Sequence, residues 1–404
     1  MNKAVAAVEF GSSKVVSLIG RRKPYGEMDV MGVGVATYAG IRNGGWVDIE
    51  GLQAAVDESL HQAESTARRK IHQVYIGVEG DFLRWSRMTG SIDIRGHSEV
   101  DEQDVLKAID VARKANVEEG RQEIYSYPTM FFLDNKEVND PIHMPGRRLE
   151  LDCQFASVDR RWQRHLAGMM DRLGLTVVQW VPTILAESLL LLPPDVRDKG
   201  AILIDVGYFC TNVALVQRDG VVYHRSIPVG GFHFVNDLMA GLGLSLEQAE
   251  ASKRRFVLGY DVNNVTLQPF EELPPESRPS KRITAVDIST VIEARAEELA
   301  ELILWEISKA SDDFRATARG GAYLTGGGIA YMRGSRELLQ RFLDMPVRIA
   351  APTLQGINRP DQSGAVGVLD FALTEEELHG DGVAVPGFIR KILDVFSLNK
   401  EEGF

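Results

Sequence analysis

The sequence predicts an α/β fold made of two similar halves around a cleft. Residues 4–10 and 15–20 are apolar segments separated by a glycine turn, and residues 28–37 have the composition of a third strand. The same order of apolar strand, acidic residue, glycine turn, strand, turn and strand returns at residues 201–228. Such an internal repeat favours two related halves with a cleft between them. The alternative is that the two segments are unrelated hairpins, because hairpins are common and the local pattern alone does not distinguish the two cases.

Length and charge narrow the class of protein. The chain has 404 residues, enough for two or more domains, and 44% of them are apolar, which is typical of a globular protein and not of a disordered one. The 45 basic and 57 acidic side chains give a net charge of −12. An acidic surface repels a phosphate backbone, so the composition argues against a dedicated nucleic-acid partner.

Cysteine usage and hydropathy predict a cytosolic protein. The two cysteines, Cys153 and Cys210, have no CxxC spacing, which argues against zinc ribbons and thioredoxin chemistry. The apolar start of the chain is interrupted at Glu9, too early for a signal peptide. No uninterrupted apolar run reaches the roughly 20 residues of a membrane span.

The first half is predicted to contain an insertion. A helix at residues 48–67 and a strand at 74–80 complete the opening α/β unit, and residues 82–155 form a small α+β insertion. Between residue 82 and the second half, the predicted strands lie at 87–94, 123–134, 155–158 and 177–181. The predicted helices of the same region lie at 101–116, 160–173 and 183–192.

The second half is predicted to end in a linker and a separate segment. Its predicted helices cover residues 232–240, 245–256, 285–309, 332–343 and 364–373, with short strands at 322–324 and 347–349. We therefore divide the chain into a first domain (1–81 with 156–198), the insertion (82–155), a second domain (199–230 with 310–373), its subdomain (231–309), a linker (374–385) and a terminal helix (386–404).

Three glycine turns, each following an apolar strand, are the candidate phosphate-binding elements. They lie at residues 9–14, 205–207 and 324–328. Glycine lets the backbone approach a phosphate closely, and consecutive N–H groups can form an anion cradle. The carboxylates of Glu9 and Asp205 could hold a hydrated Mg²⁺. The candidate phosphate-side residues are Gly11, Ser12, Ser13, Lys14, Asp205, Gly207, Gly326, Gly327 and Gly328; a single such turn would more often be merely structural.

In order, these turns resemble the first phosphate, second phosphate and adenosine motifs of the actin, DnaK-type chaperone and sugar-kinase superfamily. The closer resemblance is to FtsA, the bacterial actin-like cell-division family, and it covers essentially the whole chain. It rests on the glycine loop YAGIRNGGWVD at 38–48, the segment NDPIHMPG at 139–146, the helix signature VIEAR at 291–295 and the terminal helix. The family usually has proline where this chain has Ala294.

The resemblance implies an actin-like (RNase H-like) fold of duplicated domains around a nucleotide cleft, with the FtsA-type insertion. It also implies ATP and Mg²⁺ as ligands, self-association into protofilaments, and other division proteins as partners. The tubulin-like ring protein FtsZ would bind through its C-terminal peptide at residues 231–309. The expected location is the cytoplasmic face of the cell membrane at the division site, or septum.

The adenosine side matches the superfamily pattern, in which a helix offers Glu and, three residues later, Lys to the ribose. Glu250 and Lys253 have this spacing, and Arg254 could pack on the adenine. The alternative is a solvated Glu–Lys pair on a helix surface.

The phosphate side departs from the family. Tyr208, Phe209 and Cys210 stand where the second loop is usually rich in glycine and threonine, and Glu9 replaces Asp. The connecting helix lacks the carboxylate that some relatives place before Pro182, and Glu187 is interpreted as structural. We therefore expect weak nucleotide binding and little or no hydrolysis, so that the protein is at most a slow ATPase.

The terminal segment has the pattern of an interfacial helix. Large apolar side chains share one helical face, and the basic residues Arg390 and Lys391 lie elsewhere. The candidate membrane-binding residues are Phe388, Ile389, Ile392, Val395 and Phe396. The alternative is a helix docked on the protein itself.

Two other functions remain open at this stage. An ATP-dependent phosphotransferase of the same superfamily would share the cleft, and an actin-like scaffold of a pilus machine would share the fold. The insertion and the terminal helix favour a membrane tether for FtsZ filaments.

Overall fold

The computed structural model describes residues 4–379, with gaps at 39–40, 43–44, 47, 96–98, 117, 260–269, 271–273, 275–276, 278 and 280–282. The terminal helix predicted at 386–404 therefore lies outside the described residues. Among the described residues, none of the helices is both long enough and apolar enough to span a membrane.

The first half begins with a hairpin-based sheet and one helix. Its elements are β1 (Val5–Phe10), β2 (Lys14–Arg22), β3 (Met28–Thr37), the short β4 (Ile41–Arg42) and β5 (Gly45–Trp46), α1 (Ile49–Ala67) and β6 (Gln73–Val78). The side chain of Asp48 accepts a hydrogen bond from the Gly51 N–H and begins α1.

The insertion follows β6 through a 3-10 turn, Gly80–Phe82. It contains β7 (Arg84–Asp93), α2 (Glu102–Ala115), β8 (Arg121–Leu133), β9 (Lys136–Val138) and β10 (Arg148–Asp159). The strands form a sheet in the order β7-β10-β8-β9, with α2 packed on β7 and β10. The chain then returns to the first domain through α3 (Arg160–Arg172), β11 (Thr176–Pro182), α4 (Thr183–Leu191) and α5 (Pro194–Asp198).

The second half repeats the first. Its elements are β12 (Ala201–Val206), β13 (Thr211–Gln217), β14 (Gly220–Ile227), α6 (Gly231–Leu242), α7 (Leu246–Arg255), α8 (Ala285–Ser308), α9 (Phe314–Thr317), β15 (Ala322–Thr325), α10 (Ser335–Leu343) and β16 (Val347–Ile349). The last described helix, α11 (Ser363–His379), follows in the chain.

The strand orders confirm the duplication. The first sheet has the order β11-β6-β1-β2-β3, and the second has β16-β15-β12-β13-β14. In each sheet the first strand pairs antiparallel with the next strand of the chain and parallel with the strand on its other side. The repeat is therefore topological and not a coincidence of two hairpins.

The last helix corrects two of the sequence predictions. Residues 374–379, assigned to a linker, continue α11. Although residues 310–373 were assigned to the second domain, α11 packs on β1, β2, β6 and α4. The cause is its apolar face: Val366, Val368 and Leu369 are fully buried in the cluster under the first sheet. The chain thus crosses back to the first domain at about residue 360.

Two contacts position the site. The helix α4 lies between the halves, because its side chains share one apolar cluster with strands of the second sheet and with the insertion. The insertion also contacts the edge strand β14, where the side-chain amide of Gln154 donates to the Val222 carbonyl at 3.2 Å. The insertion is therefore anchored to both halves.

Candidate functional site

The three glycine turns meet at one cavity of about 220 Å³. They converge because the strands β1, β12 and β15 each end at the same side of their sheet, facing the other half. Of the predicted phosphate-side residues, those that line the cavity are Gly11, Ser12, Ser13, Lys14, Asp205, Gly207, Gly326 and Gly327. Gly328 lies just behind, donating its N–H to the Val206 carbonyl at 2.6 Å.

Glu9 and Asp205, the predicted metal ligands, occupy equivalent places in the two halves. Each is the fifth residue of a six-residue strand, and each side chain is more than nine-tenths buried. Both carboxylates line the cavity. Gly326 has a positive φ of 88°, and a Cβ atom there would overlap Oδ1 of Asp205, so a side chain would not fit.

Two further carboxyl groups line the cavity, one that the sequence analysis did not identify and one that it interpreted as structural. Glu79, directly after β6, shares a hydrogen bond with Glu9, and Glu187 of α4 lines the same cavity. Glu187 was interpreted as structural, yet its Oε2 atom is buried and has no hydrogen-bond partner in the described part of the chain. The signal available for Glu79 was its position at the end of the strand parallel to β1.

Burial and mutual repulsion raise the pKa values of these acids. Burial raises the pKa of Asp205 to about 6, although a hydrogen bond from Asn212 acts in the opposite direction. Burial and the Asp205 charge raise the pKa of Glu187 well above its usual range, and burial and the Glu9 charge do the same for Glu79. Like charges this close in a buried site disfavour joint ionisation.

Lys14 is engaged by a residue that the sequence analysis also missed. Its Nζ atom donates to the Asp361 carboxylate at 2.9 Å and to the Asp361 carbonyl at 3.2 Å. Asp361 precedes α11 and lies against Gly327, so it reaches the cavity from the segment that crosses between the halves. Tyr331 and Arg359 also donate to this carboxylate.

The aromatic ring of Tyr208 lies at the cavity beside the second glycine turn. Tyr208 lines the cavity, and its ring lies 4.8 Å from that of Phe209 and 5.3 Å from that of Phe232. Phe209 packs on Phe232 with ring centroids 5.0 Å apart. Of the three residues that replace the usual glycine and threonine, Tyr208 and Cys210 therefore line the cavity and Phe209 does not. That they crowd a bound phosphate stays a prediction.

The predicted adenosine residues lie beside the turns and do not line this cavity. Lys253 is buried, and its Nζ atom donates to the Gly231 carbonyl at 2.9 Å. Burial lowers its pKa, an effect that the nearby Glu250 opposes. Glu250 is half-buried and Arg254 is exposed. Their role in binding adenosine stays a prediction.

The carboxylates suit a hydrated divalent cation. Within the described ranges, no three His, Cys, Asp or Glu side chains converge tightly enough to hold a metal ion by themselves. Mg²⁺ usually keeps several waters and takes one or two carboxylates together with phosphate oxygens. Glu9 and Asp205, with the unpartnered oxygen of Glu187 nearby, fit that kind of site better than an all-protein cage.

Comparison with known families decides the classification. The family model described as "Cell division protein FtsA" matches residues 202–367, and the one described as "SHS2 domain inserted in FTSA" matches residues 80–156. Together they match more than half of the chain, and the second coincides with the structural insertion. The chain belongs to the FtsA family.

Curated FtsA proteins match over nearly the whole length. The chain is 26% identical to FtsA of Pseudomonas aeruginosa over 391 residues, which cover 95% of this chain and 93% of the relative. It is 25% identical to FtsA of Bacillus subtilis, covering 94% of this chain and 86% of the relative. For FtsA of Escherichia coli the identity is 27%, with 94% and 92% covered.

Solved structures confirm the actin-like fold. A chain of a PilM-PilN type IV pilus biogenesis complex superimposes with a TM-score of 0.63 at 15% identity, covering 91% of this chain and 98% of that chain. The MreB5 protein of Spiroplasma citri bound to ADP gives 0.54 at 13% identity, covering 94% and 99%. At these identities the likeness concerns the fold alone. The cell-division family and the actin-like architecture predicted from the sequence are thus both confirmed.

Proposed function

We propose that this FtsA family member polymerises and attaches FtsZ filaments to the cytoplasmic face of the membrane at the division site. The observation that carries the proposal is the insertion, which matches the family's own inserted domain and is built into a duplicated actin-like body. The likeness to PilM is limited to the fold at 15% identity, so no observation favours a pilus scaffold over a division protein.

Nucleotide serves this protein as a conformational ligand. The cavity lies between the halves, and the actin-like MreB5 was solved with ADP and with AMPPNP. Residues 11–14, Gly207 and the turn at 326–328 would surround the phosphates, while Glu250, Lys253 and Arg254 would face the nucleoside. Glu9 and Asp205 would hold Mg²⁺, which supplies positive charge against the phosphates.

Binding is weak and hydrolysis slow or absent. Tyr208 takes space beside the second turn, and Lys14 is the only cationic side chain lining the cavity within the described ranges. Fast phosphoryl transfer needs an oriented water and a positive clamp on the γ-phosphate. The buried carboxyl groups of Glu79 and Glu187 add no positive charge beside the phosphates, which supports turnover well below the roughly 1–100 s⁻¹ of kinases.

The end of α11 supports attachment through the terminal segment. The Tyr75 hydroxyl, near the start of β6, lies 3.3 Å from the Glu376 carboxylate. Since β6 ends at the cavity, its start marks the opposite edge of the first sheet. The described part of α11 thus ends near the edge of the first sheet that is remote from the cleft, and lipid bound by residues 386–404 would leave the cleft accessible.

Self-association follows from the same architecture. Head-to-tail contacts between unlike surfaces give open filaments and not closed dimers, and the insertion is the expected contact. The C-terminal peptide of FtsZ is proposed to bind within residues 231–309. Electron microscopy on lipid monolayers tests assembly: rows of filaments are expected, and dispersed particles at every protein concentration, with or without ATP, would contradict it.

Flotation of FtsZ with vesicles of anionic and neutral phospholipid tests the tether. FtsZ is expected to float only when the full chain is present, and to remain in the dense fraction with a variant lacking residues 386–404. If the full chain floats and FtsZ does not float with it, membrane binding stands and the tethering function fails.

A further inference from the structure

The pair formed by Lys14 and Asp361 ties together two parts of the cleft that are 347 residues apart in sequence. Lys14 begins β2 and is 27% exposed; the Asp361 side chain is 19% exposed. The lysine ammonium makes two bonds to this one residue, at 2.9 Å to the carboxylate and 3.2 Å to the carbonyl. Its positive charge is therefore already compensated.

Asp361 is held in this position by groups other than Lys14. Its carboxylate accepts a hydrogen bond from the Tyr331 hydroxyl and another from the Arg359 guanidinium at 3.1 Å. Burial alone would raise the pKa of Asp361, but the bonds from Tyr331 and Lys14 lower it, so the group is ionised at neutral pH. A phosphate approaching Lys14 meets a fixed negative charge.

Acidic side chains outnumber basic ones in the lining of the cavity. Five carboxyl groups line the cavity, against the single ammonium group of Lys14 in the described part of the chain; they belong to Glu9, Glu79, Glu187, Asp205 and Asp361. Even with several of these acids protonated, the site has no spare positive charge for a polyphosphate. A cation must therefore arrive with the ligand.

We propose that Asp361 makes this cleft select nucleotide that carries a divalent cation, by occupying Lys14 and so denying it to metal-free phosphate. The inference rests on the proposed nucleotide binding and adds a specificity-determining residue to it. With Mg²⁺ bound, the phosphate charge is largely neutralised and the carboxylate no longer repels the ligand. Without Mg²⁺, Asp361 and the phosphates compete for one ammonium group.

Equilibrium dialysis of ADP against the full chain, in Mg²⁺ and in EDTA, tests the proposal. Wild type is expected to bind ADP much more tightly in Mg²⁺ than in EDTA. Asp361→Asn keeps the shape of the side chain and removes the negative charge that pairs with Lys14, although the bond to the Asp361 carbonyl remains. It should reduce this affinity ratio about tenfold, equivalent to about 1.4 kcal/mol, mainly by strengthening metal-free binding. Tyr331→Phe removes one group that holds Asp361, at a half-exposed position where folding is not at risk, and should shift the ratio in the same direction by less.

Asp370→Asn is the matched control. Asp370 is 24% exposed and pairs with Arg22 at 2.8 Å on the outer part of α11, away from the cavity. Its substitution also removes one carboxylate from an ion pair, and should leave the Mg²⁺-to-EDTA ratio unchanged.

The outcomes separate this inference from the nucleotide proposal. If wild type binds ADP and the ratio is the same in Asp361→Asn and Tyr331→Phe, Asp361 does not select for the cation and the inference is overturned, while nucleotide binding stands. If neither wild type nor any variant binds ADP in either condition, nucleotide binding itself fails and the inference fails with it.

Discussion

The hydroxyl of Ser12 accepts a hydrogen bond from the backbone N–H of Phe209, with the two atoms 3.2 Å apart. The serine belongs to the glycine turn of the first sheet and the amide to that of the second, so this bond directly joins the two halves across the cleft. A loop amide of this kind is a natural donor to a phosphate oxygen. A phosphate oxygen that accepts from the Phe209 amide would therefore have to displace the Ser12 hydroxyl.

Replacing Ser12 by alanine should loosen the cleft. The Phe209 amide loses its acceptor, and we expect faster hydrogen exchange there and a loss of roughly 0.5–1.5 kcal/mol in the free energy of unfolding. Exchange measured by mass spectrometry on the ligand-free protein checks this. Ser13→Ala, in the same turn, is the control and should leave the exchange of this amide unchanged.

Asp205 should make the protein less stable as pH rises. Its folded pKa of about 6 lies above the ordinary value of 3.8, so the folded state retains a proton that the unfolded state has released. The free energy of unfolding therefore falls between about pH 4 and pH 6 and stays lower above that window. Asp205→Asn should raise the melting temperature at pH 7.5, by the equivalent of about 1–3 kcal/mol, and change it little at pH 4.

The exposed ion pair of Arg21 and Asp29 supplies the control for this pH dependence. Asp29→Asn should shift the melting temperature little at either pH, because exposed pairs contribute little. A melting temperature of Asp205→Asn below that of wild type at pH 7.5 would show that the carboxylate is stabilised in the folded state.

Opening space at the second turn should strengthen nucleotide binding. Tyr208 lines the cavity, whereas Phe209 packs away from it on Phe232. Tyr208→Ala is expected to bind Mg²⁺-ADP more tightly than wild type, with some loss of stability from the lost ring contacts. Phe209→Leu is the matched control and should not improve affinity. Weaker binding by Tyr208→Ala would instead assign the ring a contact with the nucleotide.

A side chain at Gly80 should disrupt the junction between the halves. A Cβ atom there would overlap the Asn212 side-chain oxygen and lie 3.0 Å from Cε1 of His224, both on the second sheet. Gly80→Ala should lower the free energy of unfolding by roughly 1–3 kcal/mol. Gly168→Ala, in α3 with only the end of Arg172 nearby, should be neutral or slightly stabilising. Equal melting temperatures for the two variants would contradict the contact.

The strands and glycine turns that surround the site could be predicted from the sequence, because each depends on a local pattern of apolar residues and glycine. Glu9 and Asp205 could be matched across the repeat, since each follows an apolar strand and precedes a glycine turn, and the structure places them at equivalent strand positions. Apolar spacing likewise gave α1 and α8 within a residue or two of their observed ends.

The remaining cavity residues depend on packing between distant segments. Glu187 reaches the cavity only because α4 lies between the two halves, and Asp361 only because the chain crosses back to the first sheet before α11. No pattern in the neighbouring sequence marks either position as part of a site. The assignment of α11 failed for the same reason: its apolar residues indicate a buried helix but not which sheet buries it.

We infer that the predicted terminal helix attaches this protein to the membrane, and Ile392 lies in the middle of its predicted apolar face. Five large apolar side chains are predicted to share one face, each worth roughly 1.5–3 kcal/mol when fully buried. Ordering the helix costs about 1 kcal/mol per residue, so a single copy should bind reversibly and assembly should make attachment firm. Since charge contributes little, binding should survive moderate salt.

The decisive measurement is flotation of wild type and Ile392→Glu with phospholipid vesicles, together with the melting temperature of each protein without lipid. We predict that wild type floats, that Ile392→Glu stays in the dense fraction, and that the two melting temperatures agree. Flotation of Ile392→Glu, or a lowered melting temperature typical of a core substitution, would show that this helix packs on the protein itself and would contradict the membrane tether.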